Sequence, residues 1–144
     1  HEAAMQVADA IEATFAGTLD TVDQTRILKL RARTAAATGE AGERQAQLLE
    51  EIVRLDPLDG EALILLGQHH ARNDQLEKAC FLFERAAGME EFEAQACLRH
   101  GQALVKHERY AKALPLLKRA QERKPREDLA RYIEQVQRVA RTQQ

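Results

Sequence analysis

The chain has 144 residues, a length that fits a single domain. Hydrophobic residues make up 44% and charged residues 31%, with only three prolines and seven glycines, which excludes a disordered or collagen-like chain. The net charge of −2 selects neither nucleic acid nor a membrane surface as partner, although residues 101–144 carry eleven basic and five acidic side chains. No run approaches the roughly 18 apolar residues of a membrane span, so we expect a soluble protein.

The first predicted element is an amphipathic helix within residues 1–20. Its apolar residues recur at steps of three and four, which places them on one helix face. They are Ala4, Met5, Ala8, Ile11 and Phe15. The pattern fits either the second helix of an incomplete helix pair or a dedicated cap. Two further helices are predicted from Thr21 to about Ala37 and from Glu43 to Leu55, where Asp56-Pro57 ends the second one.

The next two helix pairs repeat one pattern at an interval of 34 residues. The interval relates Gly67 to Gly101, and it also relates Ala79 to Ala113, Phe83 to Leu117 and Ala86 to Ala120. The earlier pair is predicted to form helices from about Asp59 to Arg72 and from about Gln75 to Ala87. For its second helix we expect Asp74 as N-cap and Gly88 in a left-handed conformation at the C-terminal end.

The later pair is predicted within residues 92–123, and Pro115 falls inside its second helix. A proline there removes one backbone hydrogen bond, so we expect a kink or a late start of the regular helix. After Pro125, the apolar face of Leu129, Tyr132, Ile133, Val136 and Val139 predicts a final helix from Glu127 to Arg141.

This 34-residue pattern resembles the tetratricopeptide repeat, a helix-turn-helix unit with a leucine-glycine pair, inner alanines and a closing proline. The resemblance implies an all-α, right-handed α-α superhelix of about three repeats with flanking helices. The first repeat departs from the family pattern, because Arg33 replaces the glycine and Gln45 replaces the inner alanine. We therefore expect one domain over 1–144: an N-terminal helix (1–20), a degenerate repeat (21–58), two further repeats (59–92 and 93–126) and a capping helix (127–144).

The family binds its partners along the first helices of its repeats, and we call the matching positions here the inner stripe. The inner stripe consists of Glu61, Ile64, Gln68, Ala71, Arg72, Gln95, Leu98, Gln102, Val105 and Lys106. Their steps of three and four give each set one helix face. The Lys/Asn/Arg carboxylate clamp of the chaperone-binding members is not expected, since Gln68 and Gln102 replace the asparagines and Ile64 and Leu98 occupy places for basic groups.

His69, His70, Cys97 and His100 form a histidine and cysteine cluster that offers zinc or copper ligands. The spacing matches no metal motif, and His70 and His100 occupy positions that are core residues in the family, so we expect core histidines, no metal and no cofactor. Catalytic motifs are absent from the sequence, and Cys97, like Cys80, is expected to be a buried free thiol. We therefore expect no enzymatic activity.

A basic run near the end of the last repeat could contact phosphate groups or an acidic partner. It consists of Lys118, Arg119, Arg123, Lys124 and Arg126. Aromatic residues total 4% and tryptophan is absent, so no stacking platform for nucleic acid exists, and a solvated helix face is favoured.

The sequence thus predicts a non-catalytic protein-protein interaction scaffold that binds a peptide or helix of a partner in a concave groove. Two alternatives remain open: a chaperone or assembly factor of the bacterial secretion type, and a metal-responsive domain that uses the histidine and cysteine cluster. Self-association also remains open. No signal peptide is visible, and the compartment is undecided between the cytoplasm and an exported mature domain.

Overall fold

A computed structural model of the chain describes residues 21–37 and 42–143. Within these ranges the chain forms seven α-helices and no strand. The helices are α1 (Thr21–Ala37), α2 (Glu43–Leu55), α3 (Gly60–Arg72), α4 (Leu76–Ala87), α5 (Glu93–Lys106), α6 (Tyr110–Arg123) and α7 (Glu127–Thr142), and a 3-10 turn (Glu90–Phe92) precedes α5. The helix predicted within residues 1–20 lies outside the described residues.

The chain divides into two compact units, residues 1–62 and residues 63–144. The boundary falls inside α3, whose first three residues belong to the first unit. The division into one domain with three repeats stays a prediction.

In the first unit, α1 packs against α2 through small and aliphatic side chains. The buried ones are Leu28, Ala32, Ala46, Leu48, Leu49 and Ile52. At the start of α3, the buried Asp59 accepts a hydrogen bond from the backbone N–H of Ala62 at 3.1 Å, which caps the helix. The Nζ atom of Lys29 on α1 lies 2.5 Å from the other carboxylate oxygen of Asp59. This ion pair joins α1 to the first turn of α3.

In the second unit, two glycines let neighbouring helices approach closely. A Cβ atom added to Gly67 on α3 would lie 2.7 Å from the ring of Phe83 on α4. A Cβ atom added to Gly101 on α5 would lie 2.6 Å from the Cδ2 atom of Leu117 on α6. Both partner side chains are completely buried. The predicted role of the two glycines at helix contacts is confirmed.

The turns that follow α3 and α5 have the same geometry. Asp74 and Glu108, which are 34 residues apart, both adopt a left-handed backbone with φ near 60°. In each turn the next N–H donates to the carbonyl five residues back: Gln75 to His70 at 2.9 Å, and Arg109 to Leu104 at 2.8 Å. This is the Schellman ending of a helix.

Two capping predictions in this region were wrong. Asp74 is not the N-cap of α4, because it serves as the left-handed residue that ends α3, and Gln75 precedes α4 instead. Gly88 has a right-handed backbone (φ −71°, ψ −10°), since its N–H continues the helical hydrogen bonding to Glu84 and Arg85. The left-handed positions therefore belong to the turns inside the helix pairs.

Helix α6 continues through Pro115, whose ring is exposed. The same helix is joined to the first residue of α5 by an ion-pair network. Glu93 accepts from Nε of Arg119 at 2.6 Å and lies 3.1 Å from Nε of Arg123. The hydrogen bond from Arg119 holds the pKa of the Glu93 carboxyl below its ordinary value. The network fixes where α6 crosses α5, and α7 then packs on α6.

Candidate functional site: the inner face of α5 and α7

The inner stripe is distributed over α3 and α5, with Glu61 in the first unit and the other nine residues in the second. Its members differ in exposure. Glu61, Arg72, Gln95 and Lys106 are exposed; Gln68, Leu98, Gln102 and Val105 are half-buried; Ile64 and Ala71 are buried. Ile64 is only 1% exposed, so a partner cannot contact it directly. The accessible apolar surface of the stripe is therefore that of Leu98 and Val105 on α5.

Leu98 and Gln102 line one crevice of about 290 Å³, which we call the α5–α7 crevice. Its opposite side is formed by the start of α7, with Tyr132 half-buried and Leu129 buried. The rim carries an ion pair in which Arg126 donates two hydrogen bonds to Asp128, at 2.6 and 3.1 Å. These bonds lower the pKa of Asp128, which therefore balances Arg126 at neutral pH, while the cation Arg99 also lines the crevice. The crevice thus combines a small apolar surface from Leu98 and Tyr132 with a larger polar surface.

Tyr132 is the residue that the sequence analysis did not assign to the inner stripe. It follows Leu98 by 34 residues, as Leu98 follows Ile64, so the 34-residue register continues into α7. Burial raises the pKa of the Tyr132 phenol, so the hydroxyl remains a hydrogen-bond donor at neutral pH. Extending the interval beyond residue 126 would have identified this residue from the sequence.

Gln102 is oriented by its neighbour on α5. Its Oε1 atom accepts a hydrogen bond from Nη1 of Arg99 at 3.1 Å. This fixes the amide with its NH₂ group available as a double donor. A half-buried amide held in this way suits a carbonyl oxygen of a bound backbone.

The four side chains of the histidine and cysteine cluster do not share one set of surroundings, although the rings of His69 and His70 meet edge-on with centroids 5.4 Å apart. His70 is half-buried, so the expectation that it is a core histidine was wrong. Nδ1 of His70 lies 2.6 Å from Oε1 of Gln75, and Nε2 of His69 lies 3.2 Å from Nδ2 of Asn73. His100 is buried and stacks on Phe83, with ring centroids 5.7 Å apart. Across the described ranges, no three His, Cys, Asp or Glu residues are grouped as metal ligands would be.

Neither thiol has the environment of a reactive cysteine. Burial raises the pKa of both Cys80 and Cys97, which keeps the thiols protonated at neutral pH. Cys97 is completely buried, as expected, but Cys80 is partly exposed, so its expected burial was wrong. A nucleophilic role would need a depressed pKa, and neither residue has one.

The basic run is not a uniform cationic surface. Arg119 and Arg123 are paired with Glu93, and Arg126 is paired with Asp128. Lys118 and Lys124 are exposed to solvent. All five cations are exposed, as a solvated face requires, and three of them also hold acidic partners.

No protein-family profile matches the sequence, and no curated protein matches it. Solved structures do match. The N-terminal domain of stress-induced protein-1 (STI-1) from C. elegans superimposes with a TM-score of 0.72 at 14% identity, covering 83% of this chain and 99% of that one. YrrB, described as a TPR protein with an unusual peptide-binding site, gives 0.71 at 20% identity, covering 93% and 67%. MamA AMB-1 gives 0.67 at 19% identity, covering 94% and 83%.

These likenesses confirm the fold class that the 34-residue interval predicted. The chain has a tetratricopeptide-repeat-like fold, an all-α helical solenoid. In the part of the chain that the structure describes, no helix has the length and apolar character needed to cross a membrane.

Proposed function

We propose that the chain is a non-catalytic scaffold that binds a segment of a partner protein along the inner stripe, centred on the α5–α7 crevice. The observation that carries the proposal is the placement of Leu98, Gln102 and Tyr132 around one accessible crevice. The description of YrrB as a peptide-binding protein of similar fold supports the proposal.

The chemistry of the crevice favours one apolar anchor of the partner. Leu98 and Tyr132 supply apolar contact area, and an aromatic ring loses little conformational entropy on binding. The NH₂ group of Gln102 can donate to a backbone carbonyl beside that anchor. Because interface energy concentrates in a few desolvated anchors, this part of the inner stripe should dominate the affinity.

The charges of the stripe favour acidic flanks on the bound segment. Arg72 and Lys106, related by the 34-residue interval, are both exposed at the C-terminal ends of α3 and α5. Exposed cations raise association rates and contribute affinity that salt screens. We therefore expect a segment with an apolar anchor and acidic flanks to bind better than a bare acidic terminus.

The first experiment selects peptides from a displayed random library and measures the best one by fluorescence anisotropy. We expect an apolar residue next to acidic residues among the selected sequences. The double substitution Leu98→Ala with Gln102→Ala should raise Kd at least tenfold, consistent with losing an anchor worth about 2 kcal/mol. Thermal unfolding of the same variant checks that its helices remain folded.

Lys106→Glu should raise Kd most strongly at low salt, since it reverses an exposed charge beside the crevice. The matched control is Lys118→Glu, which reverses one exposed lysine outside the crevice lining. An affinity that survives the Leu98/Gln102 change but falls in the control would move the site to the basic run and refute the proposal.

A further inference from the structure

A second, larger groove lies between α4 and α6, away from the inner stripe. We call it the outer groove, and its volume is about 620 Å³. Its apolar lining includes Leu76 on α4, Leu104 on α5 and Leu116 on α6. Nothing in the proposed peptide site uses these residues.

The two walls of the outer groove have opposite charge. Glu77 and Glu84 line the α4 wall, and Arg109 and Lys112 line the α6 wall. All four residues are exposed, and none of them has an ion-pair partner among the described residues. A fifth charged residue, Arg119, is held by Glu93. The groove therefore presents one acidic row and one basic row across an apolar floor.

Phe81 stands at the edge of this groove and is 61% exposed. The guanidinium of Arg85 lies 5.9 Å from the ring centroid, which orients the ring without covering it. Aromatic residues are enriched at protein–protein interfaces, and this ring adjoins the apolar lining of the groove, so it favours a contact surface here.

We propose that the outer groove binds a second copy of this chain. The acidic α4 wall would repel an acidic ligand, and the basic α6 wall would repel a basic one. A complementary partner must therefore carry one row of positive charges and one row of negative charges. A second copy related by a two-fold axis does so, because the acidic wall of each copy then faces the basic wall of the other. In this arrangement Phe81 of each copy inserts between the walls of the other.

The size of the surface limits the strength of the dimer. The exposed faces of α4 and α6 come from helices of 12 and 14 residues, which span about 18–21 Å at 1.5 Å per residue. A patch of this length is small beside stable specific interfaces, which bury about 1,200–2,000 Å² in total. We therefore expect a reversible dimer that forms in a concentration-dependent way.

The first test is sedimentation velocity of the purified chain over a series of concentrations. The sedimentation coefficient should rise from that of a monomer to that of a dimer, and Phe81→Ala should raise the dimer Kd at least tenfold. Because Phe81 is exposed, this variant should keep its thermal midpoint. A wild-type chain that remains monomeric at the highest soluble concentration, or a dimer unaffected by Phe81→Ala, would overturn the proposal.

The sharper test reverses the charge of one wall of the groove at a time. Glu77→Lys with Glu84→Lys makes both walls basic, and Arg109→Glu with Lys112→Glu makes both walls acidic. Each double variant should be monomeric alone because its walls repel those of its own copy. Mixed in equal amounts, the two should form a one-to-one heterodimer, since every facing pair of walls is again opposite in sign.

Two controls change the net charge equally at exposed sites outside the outer groove. They are Glu122→Lys with Glu134→Lys, and Lys118→Glu with Lys124→Glu. Both should dimerise as the wild type does. Failure of the two wall variants to associate when mixed, with both folded by circular dichroism, would refute the two-fold arrangement. Equal loss of dimer in the controls would refute it as well, because net charge alone would then account for the effect.

Discussion

The helix pair α1–α2 and the helix pair α5–α6 follow one register but are packed by different means. Arg33 on α1 is equivalent to Gly101 on α5 in the 34-residue register. Arg33 is exposed, whereas the backbone of Gly101 packs against Leu117. On α2, Ala46 is buried rather than Gln45, which the 34-residue interval would have placed inside. Among the described residues, the glycine contact is therefore found in the second unit, while the first unit packs through Ala32, Ala46 and aliphatic side chains.

Both units bury polar side chains, but the first unit buries two threonines and Asp59, whereas the second buries Glu93 and His100. The buried hydroxyls of Thr25 and Thr34 donate to the carbonyls of Thr21 and Leu30 in their own helix, both at 2.8 Å. Asp59 is buried with its cap and its ion pair satisfied. Buried polar groups of this kind are tolerated only while each has a partner. The first unit should therefore be sensitive to polar changes, and the second both to volume changes at its glycine contacts and to loss of the partners of Glu93.

The largest expected effect breaks the glycine contact. Gly101→Leu and Gly67→Leu should each lower the free energy of unfolding by about 1–3 kcal/mol, since the added side chain meets a buried neighbour in a packed core. Arg33→Leu, at the same register in α1, should change it by less than about 0.5 kcal/mol, as is usual for exposed sites. Urea denaturation measures all three. Equal costs at residues 33 and 101 would contradict the difference between the two pairs.

The next effect concerns the buried carboxylate of the first unit. Asp59→Ala should cost about 1–2 kcal/mol, because it removes the cap of α3 and leaves Lys29 without its partner. Lys29→Gln keeps the cap and an amide donor for the buried carboxylate and removes the charge of its partly exposed partner, so its cost should be smaller than that of Asp59→Ala. If chemical denaturation showed a larger loss of stability for Lys29→Gln than for Asp59→Ala, the ion pair rather than the cap would be the main stabilising interaction of Asp59.

A smaller effect of opposite sign is expected at the two left-handed turns of the second unit. Glu108→Gly and Asp74→Gly should raise the free energy of unfolding by about 0.5–1 kcal/mol, since glycine adopts φ near 60° without strain. The gain should be larger at Glu108, because aspartate tolerates this conformation better than glutamate. Arg109→Gly, one residue later, should destabilise the protein. A loss of thermal stability in Glu108→Gly would show that its side chain makes a contact that outweighs the strain.

The smallest effect is the pH dependence contributed by His100. Burial lowers the pKa of His100 in the folded state, and the charge of Glu84 partly offsets this shift. The unfolded chain therefore binds the proton more readily, so the stabilising contribution is complete above the ordinary histidine pKa and is lost as the pH falls below it. His100→Leu should make the midpoint of thermal unfolding less dependent on pH between neutral and mildly acidic conditions. An unchanged slope would assign the acid sensitivity to other groups.

The sequence predicted the helices and the glycine contacts well because both depend on local periodicity and on a fixed interval. Pro115 was also kept correctly inside a helix. The interval could not show that Asp74 ends one helix rather than starting the next, because a Schellman ending depends on hydrogen bonds to the preceding turn. No glycine marks that left-handed position, so the usual signal is absent.

The candidate site was less predictable, for reasons of burial and distance. Ile64 and Leu98 occupy equivalent positions, yet only Leu98 remains accessible, and exposure depends on surrounding packing that no single helix pattern encodes. The pairing of Glu93 with Arg119 spans 26 residues and so escapes any helical spacing rule. Conversely, Tyr132 follows from the interval once α7 is treated as a continuation of the register.

The most direct test of the proposed function is a two-dimensional ¹H–¹⁵N correlation spectrum of the chain titrated with its tightest selected peptide. The proposal predicts the largest shift changes at Leu98, Gln102 and Tyr132, together with the side-chain amide of Gln102. The signals of outer-groove residues, such as Phe81 and Lys112, should shift little at concentrations where the chain is monomeric. Shift changes concentrated at Phe81 and Lys112, with the α5–α7 crevice silent, would contradict the assignment of the inner stripe as the partner-binding face.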